Sequence, residues 1–327
     1  MLMELPSRPI SSEELEIEVV GLESELVAVE KKCMAIDQAQ MTPEARQRPL
    51  TNEHWQVLTA MHRSLLYQHH DYFLASQHPK ASPTLRRVAA DKHMPLRMWK
   101  YAIHAHLEVL RLHLPQSIDF MVNFIYLSYQ MMALLYETVE EFKNVWTECL
   151  GDLARYRMAI ENRDARDREV WAGVSRYWYA KGSDNQPTIG RLYHHLGILA
   201  KPNALQQLYF YSKSLTSIVP FRNTKESIRS VFDPALGRSP LTAQYASKFD
   251  ALFVKAHALI FDGQNLGAAL AARAELDHHI LEQIALAGPK WKEHGVFVVV
   301  TCVSAWFGYG SEKSVFGGFY GLLEKVY

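Results

Sequence analysis

The sequence predicts an all-α protein, a helical array followed by C-terminal helical hairpins. Two observations carry that expectation. Apolar residues recur at steps of three and four along most of the chain, the period of a helix that buries one face. Glycine and proline, which break such runs, number only 16 and 14 among 327 residues. With 48% hydrophobic and 21% charged residues, the chain also has enough apolar surface for a core.

Residues 12–36 carry Leu15, Val19, Leu22, Leu26 and Val29 on one face. Ser11-Ser12 before Glu13-Glu14 supplies an N-cap and first-turn acids. Residues 42–49 hold two prolines and no period, and read as a linker. A second helix is expected over 53–76, with Pro79, Ser82 and Pro83 as punctuation after it. From Pro95 one face carries Trp99, Ile103, Leu107, Leu110 and Leu114. The opposite face carries Arg97, Lys100, His104, Glu108 and Arg111, a mostly basic stripe. Beyond Pro115, Ser117 is expected to cap a helix carrying Phe120, Phe124, Leu127, Met131, Leu134, Tyr136 and Val139.

Further helices are expected over 144–161, 169–181, 189–199 and 203–218. Pro220, Pro234 and Pro240 then bracket a loop-rich joint, and 241–261 and 265–287 are again helical. Residues 296–303 are β-branched and would suit a strand, but no comparable strand exists to pair with them, so a buried helix is assigned. Gly308, Gly310, Gly317, Gly318 and Gly321 break the chain after that. Three regions result: an N-terminal helix and linker over 1–50, a helical domain over 51–236, and a hairpin region over 237–327.

Signatures of catalysis are missing from the sequence. There is no GxSxG elbow, no P-loop lysine and no HExxH. Glu275-Leu-Asp-His278 is a single half of a di-iron motif without a second copy, and reads as a solvated helix face. The pairs His69-His70, His194-His195 and His278-His279 place neighbours on different sides of a helix, which suits structural histidines better than metal ligands. Gly308-Tyr-Gly310-Ser-Glu-Lys313-Ser314 has the wrong spacing for a phosphate loop. The expectation is a non-enzyme with no cofactor and no metal.

Lys+Arg and Asp+Glu are both 35, so nothing in the net charge suggests a polybasic nucleic-acid binder. Three scattered cysteines, Cys33, Cys149 and Cys302, make neither a zinc ribbon nor a disulfide framework and fit a reducing compartment. The N-terminus lacks the pattern of a secretory signal, and no run approaches the roughly 18 apolar residues of a membrane span. The last residues, Leu322 to Tyr327, show no helix end, as expected for a piece of a longer protein.

Residues 150–236 are the most informative. They read Leu150-Gly-Asp-Leu-Ala-Arg-Tyr-Arg157, then Trp171, Tyr177, Tyr179 and Ala180. Pro187-Thr-Ile-Gly190-Arg-Leu-Tyr193-His-His-Leu196-Gly-Ile-Leu-Ala200 comes next, then Leu208-Tyr-Phe-Tyr-Ser-Lys-Ser-Leu215 and Pro220-Phe221. Small residues (Ala180, Gly190, Gly197) where helices cross and large aromatics (Trp171, Tyr177, Tyr193, Tyr209) where they fill gaps are the pattern of a tetratricopeptide-style array. This ordered set resembles the conserved region of the Ever-shorter-telomeres proteins and the SMG adaptors of nonsense-mediated mRNA decay, in a fungal-type member. The match runs from about Trp99 to Leu236.

The resemblance implies a 14-3-3-like helical domain with tetratricopeptide repeats. Its groove would bind phosphoserine or phosphothreonine peptides of a partner such as the up-frameshift helicase. It also implies RNA or single-stranded DNA as further partners through the telomerase-associated members, pairing with a paralogue, and residence in cytoplasm and nucleus. The family's phosphate pocket uses a lysine on one helix and the first arginine of the ARYR run. That arginine corresponds to Arg155, followed by Tyr156, while His104 stands where the adaptors have lysine. Some relatives carry a nuclease domain with clustered metal-binding acids. Here Asp250, Asp262, Glu275, Asp277 and Glu282 fall at helical spacing instead.

The residues themselves extend this reading. Arg111 lies seven residues after His104, about two turns along the same face, which is also the spacing of the two basic residues in 14-3-3 proteins. The candidate phosphate-binding set is Arg155, Arg111, His104, Tyr156 and Lys100. Arginine gives bidentate contacts to phosphate, tyrosine donates one hydrogen bond, and histidine carries full charge only in mild acid. The alternative is that Arg155 and Arg157 are held by internal acids such as Asp152 and Glu161 at helical spacing. Arg163, Arg166 and Arg168 interleave with Asp164, Asp167 and Glu169, as on a salt-bridged, solvated surface.

Overall fold

The computed structural model describes residues 10–46, 50–240, 245–263 and 265–311. Among them the chain is helices joined by turns, with one isolated bridge between Ile189 and Val219 and no strand. It divides into two compact units, Met1–Ser175 and Arg176–Tyr327.

In the first unit, α1 (Ser12–Gln40) opens with a reciprocal cap: the Glu14 amide donates to the Ser11 hydroxyl, and the Ser11 amide donates to the Glu14 carboxylate. Its buried Leu15, Val19, Leu26 and Cys33 pack on α3 (Asn52–Ser76), across a short turn α2 (Pro43–Arg46). Ser82 caps α4 (Pro83–Asp91), with Pro83 in the first turn where its missing N–H costs nothing. Next, α5 (Met94–Arg97) runs into a π-helical stretch, Met98–His104, and on into α6 (Ala105–Leu112). The predicted apolar stripe is inside: Ile103, Leu107 and Leu110 are fully buried.

Two expectations need correcting here. Ser117 stands at the N-cap of α7 (Ile118–Thr138), but its hydroxyl donates to the Leu110 carbonyl and so does not cap the helix. Also, α7 is long and apolar enough to cross a membrane, with a mean hydropathy of 1.3 over 18 residues. Its Met121, Phe124, Ile125, Met131, Met132 and Leu135 are buried, and it packs on α3, α6 and α8 (Lys143–Ile160). Trp146 of α8 is fully buried, edge-on to Phe73, and its indole N–H donates to the Val139 carbonyl. The division between the units falls within α9 (Ala165–Asn185).

The second unit is a run of helical hairpins. α10 (Gly190–Leu199) packs on α11 (Ala204–Thr216), followed by α12 (Thr224–Ala235), α13 (Lys248–Asp262), α14 (Leu266–Ala287) and α15 (Trp291–Trp306). The small residues mark the crossings as predicted at two positions. A Cβ on Gly190 would meet the Ser214 carbonyl oxygen at 2.3 Å, and one on Gly197 the Tyr211 ring at 2.4 Å. Tyr193 is buried, whereas Tyr177 is 57% exposed and fills no gap.

The expected loop-rich joint contains α12, which buries Thr224, Ile228, Val231 and Phe232. Pro234 lies in its last turn, so the helix forfeits only the one bond its N–H would give to the Ser230 carbonyl and ends a residue later. α13 begins at Lys248 with Ser247 as its cap; residues 241–244 of the helix expected there lie outside the described residues. The β-branched run is helical as assigned, within α15, but only partly buried. Val298, Thr301 and Ser304 face inward while Val296, Val299 and Val303 are exposed. Gly308 and Gly310 adopt positive φ in a short turn; Gly317, Gly318, Gly321, Lys313 and Ser314 lie outside the described residues.

Candidate functional site

The basic stripe is presented by a helix that changes pitch. Within Met98–His104 the chain is π-helical, and the Ala105 amide reaches back five residues to the Lys100 carbonyl. Such wide turns reset the angular position of the α-helical turns after them. His104 closes the stretch, exposed, with Trp99 and the edge of Tyr156 at ring distances of 6.1 and 6.3 Å. Two turns on, Arg111 is also exposed.

Across from it, α8 brings Arg155 and Tyr156. The Tyr156 hydroxyl donates to Oε1 of Glu108 at 2.8 Å. Arg111 holds the same carboxylate as a fork, Nη2 to Oε2 at 2.6 Å and Nε to Oε1 at 3.0 Å. The Arg155 guanidinium lies 6.0 Å from the Tyr156 ring and donates to Asp152 at 3.0 Å. Of the five predicted residues, Tyr156 therefore has His104 and Arg155 beside its ring and shares Glu108 with Arg111. Lys100 is not drawn in: its ammonium sits 4.9 Å over the Tyr101 ring and makes no hydrogen bond or ion pair among the described residues.

The internal acids named as the alternative are also engaged. Besides Asp152 on Arg155, Glu161 accepts from Arg157 at 2.9 Å. Glu108 is the member the sequence did not single out. It lies on the stripe four residues after His104 and three before Arg111, so the signal was an acid placed among bases on one face. Burial pushes the Glu108 carboxyl up, but hydrogen bonds from Arg111 and Tyr156 outweigh it and hold it below the usual glutamate value. Burial and the bond to Glu108 raise the Tyr156 phenol well above its ordinary value, so it stays a donor.

One group of side chains has the makings of a metal set. Asp37, His62 and His106, all buried, offer ligand atoms within 4.8 Å of one another. The imidazoles, however, are stacked at 4.4 Å and 10°, so their in-plane lone pairs run side by side and do not converge. His62 has a hydrogen-bond partner at each nitrogen, the Ala102 carbonyl at 3.2 Å and Asp37 at 3.0 Å. With both His62 nitrogens engaged, the cluster suits internal hydrogen bonding better than an ion.

Fold and site together define a class: an all-α helical array carrying a surface cluster of cations and aromatics closed around an internal carboxylate. No family model matches the chain. It is similar to the telomerase-binding protein EST1A of Danio rerio, 35% identical over 89 residues, which make up 27% of this chain and 5% of that protein. The likeness thus spans a small part of that relative's length.

Proposed function

We propose that this chain is a non-catalytic adaptor that captures a phosphoserine or phosphothreonine peptide of a partner protein at His104, Arg111, Arg155 and Tyr156. One observation carries the reading. Arg111 and Tyr156, from different helices, converge on a single oxyanion, the Glu108 carboxylate. Donors that hold carboxylate oxygens suit phosphate oxygens as well, the arginine as a bidentate fork. Arg155 brings a second guanidinium beside Tyr156, and His104 lies at the edge of the same ring.

In this account Glu108 is a resident competitor, which an entering phosphate displaces from Arg111 and Tyr156. The relative named as telomerase-binding supports a telomerase-associated setting, and the proposal extends to a role in RNA decay and to residence in cytoplasm and nucleus. A helicase-type phosphoprotein partner and pairing with a paralogue complete the reading.

A second reading is direct contact with single-stranded RNA or DNA. It is favoured by Arg157, 5.8 Å from the Trp171 ring, with Tyr126 and Tyr129 edge-on to the same indole. A cation beside a partly exposed aromatic group of this kind can receive bases.

The test is a fluorescence titration of a phosphoserine peptide from an up-frameshift helicase homologue, and its unphosphorylated twin, against wild type and Arg155→Glu. Phosphate-dependent binding lost in Arg155→Glu is the expected result; equal binding of both peptides overturns it. Salt separates the two readings, because a nucleic-acid ligand recaptures many counterions and gives a steep slope, and one phosphate a shallow one.

A further inference from the structure

Lys213, on α11 of the second unit, is placed unlike an ordinary surface lysine. Its ammonium lies 4.0 Å from the centroid of the Tyr193 ring and 5.7 Å from that of Tyr209. Tyr193 is buried and fixed, its hydroxyl donating to the Pro187 carbonyl at 3.1 Å. Tyr209 lies one turn before Lys213 and packs on Phe297 of α15 at 4.7 Å, the two rings forming a partly exposed apolar wall.

The aromatic faces attract the cation but leave its donors unused. Lys213 makes no hydrogen bond or ion pair among the described residues. Burial holds the ammonium below the ordinary lysine value, and the charge of nearby Asp184 offsets this only in part. A cation that has given up much of its water and found no acceptor is poised for an anion from outside. The nearby charge of Asp184 weakens the positive field, which disfavours a phosphate dianion more than a monoanionic carboxylate. The Tyr209 ring adjoins the ammonium and packs on Phe297, so an aromatic side chain next to that carboxylate has a surface to lie on.

We infer that Lys213, framed by Tyr193 and Tyr209, anchors a second peptide-binding site, which takes the carboxylate of an acidic–aromatic peptide. The site belongs to the second unit and does not depend on the phosphate reading of the first.

The probe is a fluorescein-labelled octapeptide with Glu-Phe-Asp at its centre, compared with a Gln-Phe-Asn twin. Wild type is expected to bind the acidic peptide at least tenfold more tightly than the twin. Lys213→Met, which keeps the apolar stem over Tyr193, is expected to abolish the difference, and Lys213→Arg to retain most of it. Thermal melts of the three proteins check that the second unit stays folded. Equal binding of the two peptides, no binding of either, or wild-type selectivity in a folded Lys213→Met would each overturn the inference.

Discussion

If Glu108 competes with phosphate, removing its charge tightens phosphopeptide binding. The structure sets the scale for Glu108→Gln. The Arg111–Glu108 pair is three residues apart on one helix with Arg111 about half exposed, a kind worth about 0.3–0.5 kcal/mol. The Tyr156 hydroxyl bond to the charged carboxylate contributes about 1.5–3 kcal/mol. An entering phosphate replaces both and also meets the displaced carboxylate, whose repulsion at about 4 Å is roughly 1 kcal/mol per charge in water-like surroundings. Glutamine keeps an acceptor for Tyr156, lets Arg111 go and removes the repulsion. The net gain for phosphate is about 1–2 kcal/mol, roughly a 5- to 30-fold lower Kd. Calorimetric titration of the phosphoserine peptide and its unphosphorylated twin measures it. A Glu108→Gln affinity within twofold of wild type, or weaker, would refute the reasoning and make Glu108 a residue that aims Arg111.

Burial holds His69 and His257 neutral down to about pH 4, whereas an unfolded histidine titrates near 6.5. Below pH 6.5 the unfolded chain takes up protons that the folded chain refuses, so the stability present above 6.5 is lost between 6.5 and 4. The loss approaches about 1.4 kcal/mol per pH unit per histidine, and a Tm that stays flat from pH 7 to 5 would contradict it. Gly190→Ala should destabilise the second unit by about 3 kcal/mol or more, since its Cβ meets backbone atoms at 2.3 and 2.8 Å. Gly173→Ala, mid-helix with nothing within 4 Å, should stabilise by about 0.5–1 kcal/mol, and chemical denaturation compares the two. His104→Lys puts a permanent charge on the stripe, so phosphopeptide binding at pH 8 should strengthen several-fold; a Kd unchanged at pH 8 would remove His104 from the site.

Most helices were legible because their signals are local. Ser11 and Glu14 cap each other across three residues, and the stripe of Ile103, Leu107 and Leu110 needs only the helical period to be recognised. What the sequence hid depends on distant partners. Pro234 reads as a breaker until its place in the last turn of α12 is known. The exposure of Val296, Val299 and Val303 depends on which face of α15 packs on α11, and nothing in a mostly β-branched run marks that face.

The site divides the same way. His104, Arg111, Arg155 and Tyr156 were readable from spacing and resemblance, and the Asp152 and Glu161 pairs from helical spacing. The role of Glu108 was not, because its bond to Tyr156 spans 48 residues and two helices. The wide π-helical stretch that presents His104 has no sequence signature that helical periodicity would reveal.

The most direct test of the central claim is the phosphorus-31 NMR resonance of the phosphoserine peptide, followed through titration with wild type, Arg111→Glu and Tyr156→Phe. The account predicts a saturable shift with wild type, a weaker one with Tyr156→Phe and none with a folded Arg111→Glu. A resonance that moves identically with all three proteins, or with none while the peptide still binds, would contradict phosphate capture at this cluster.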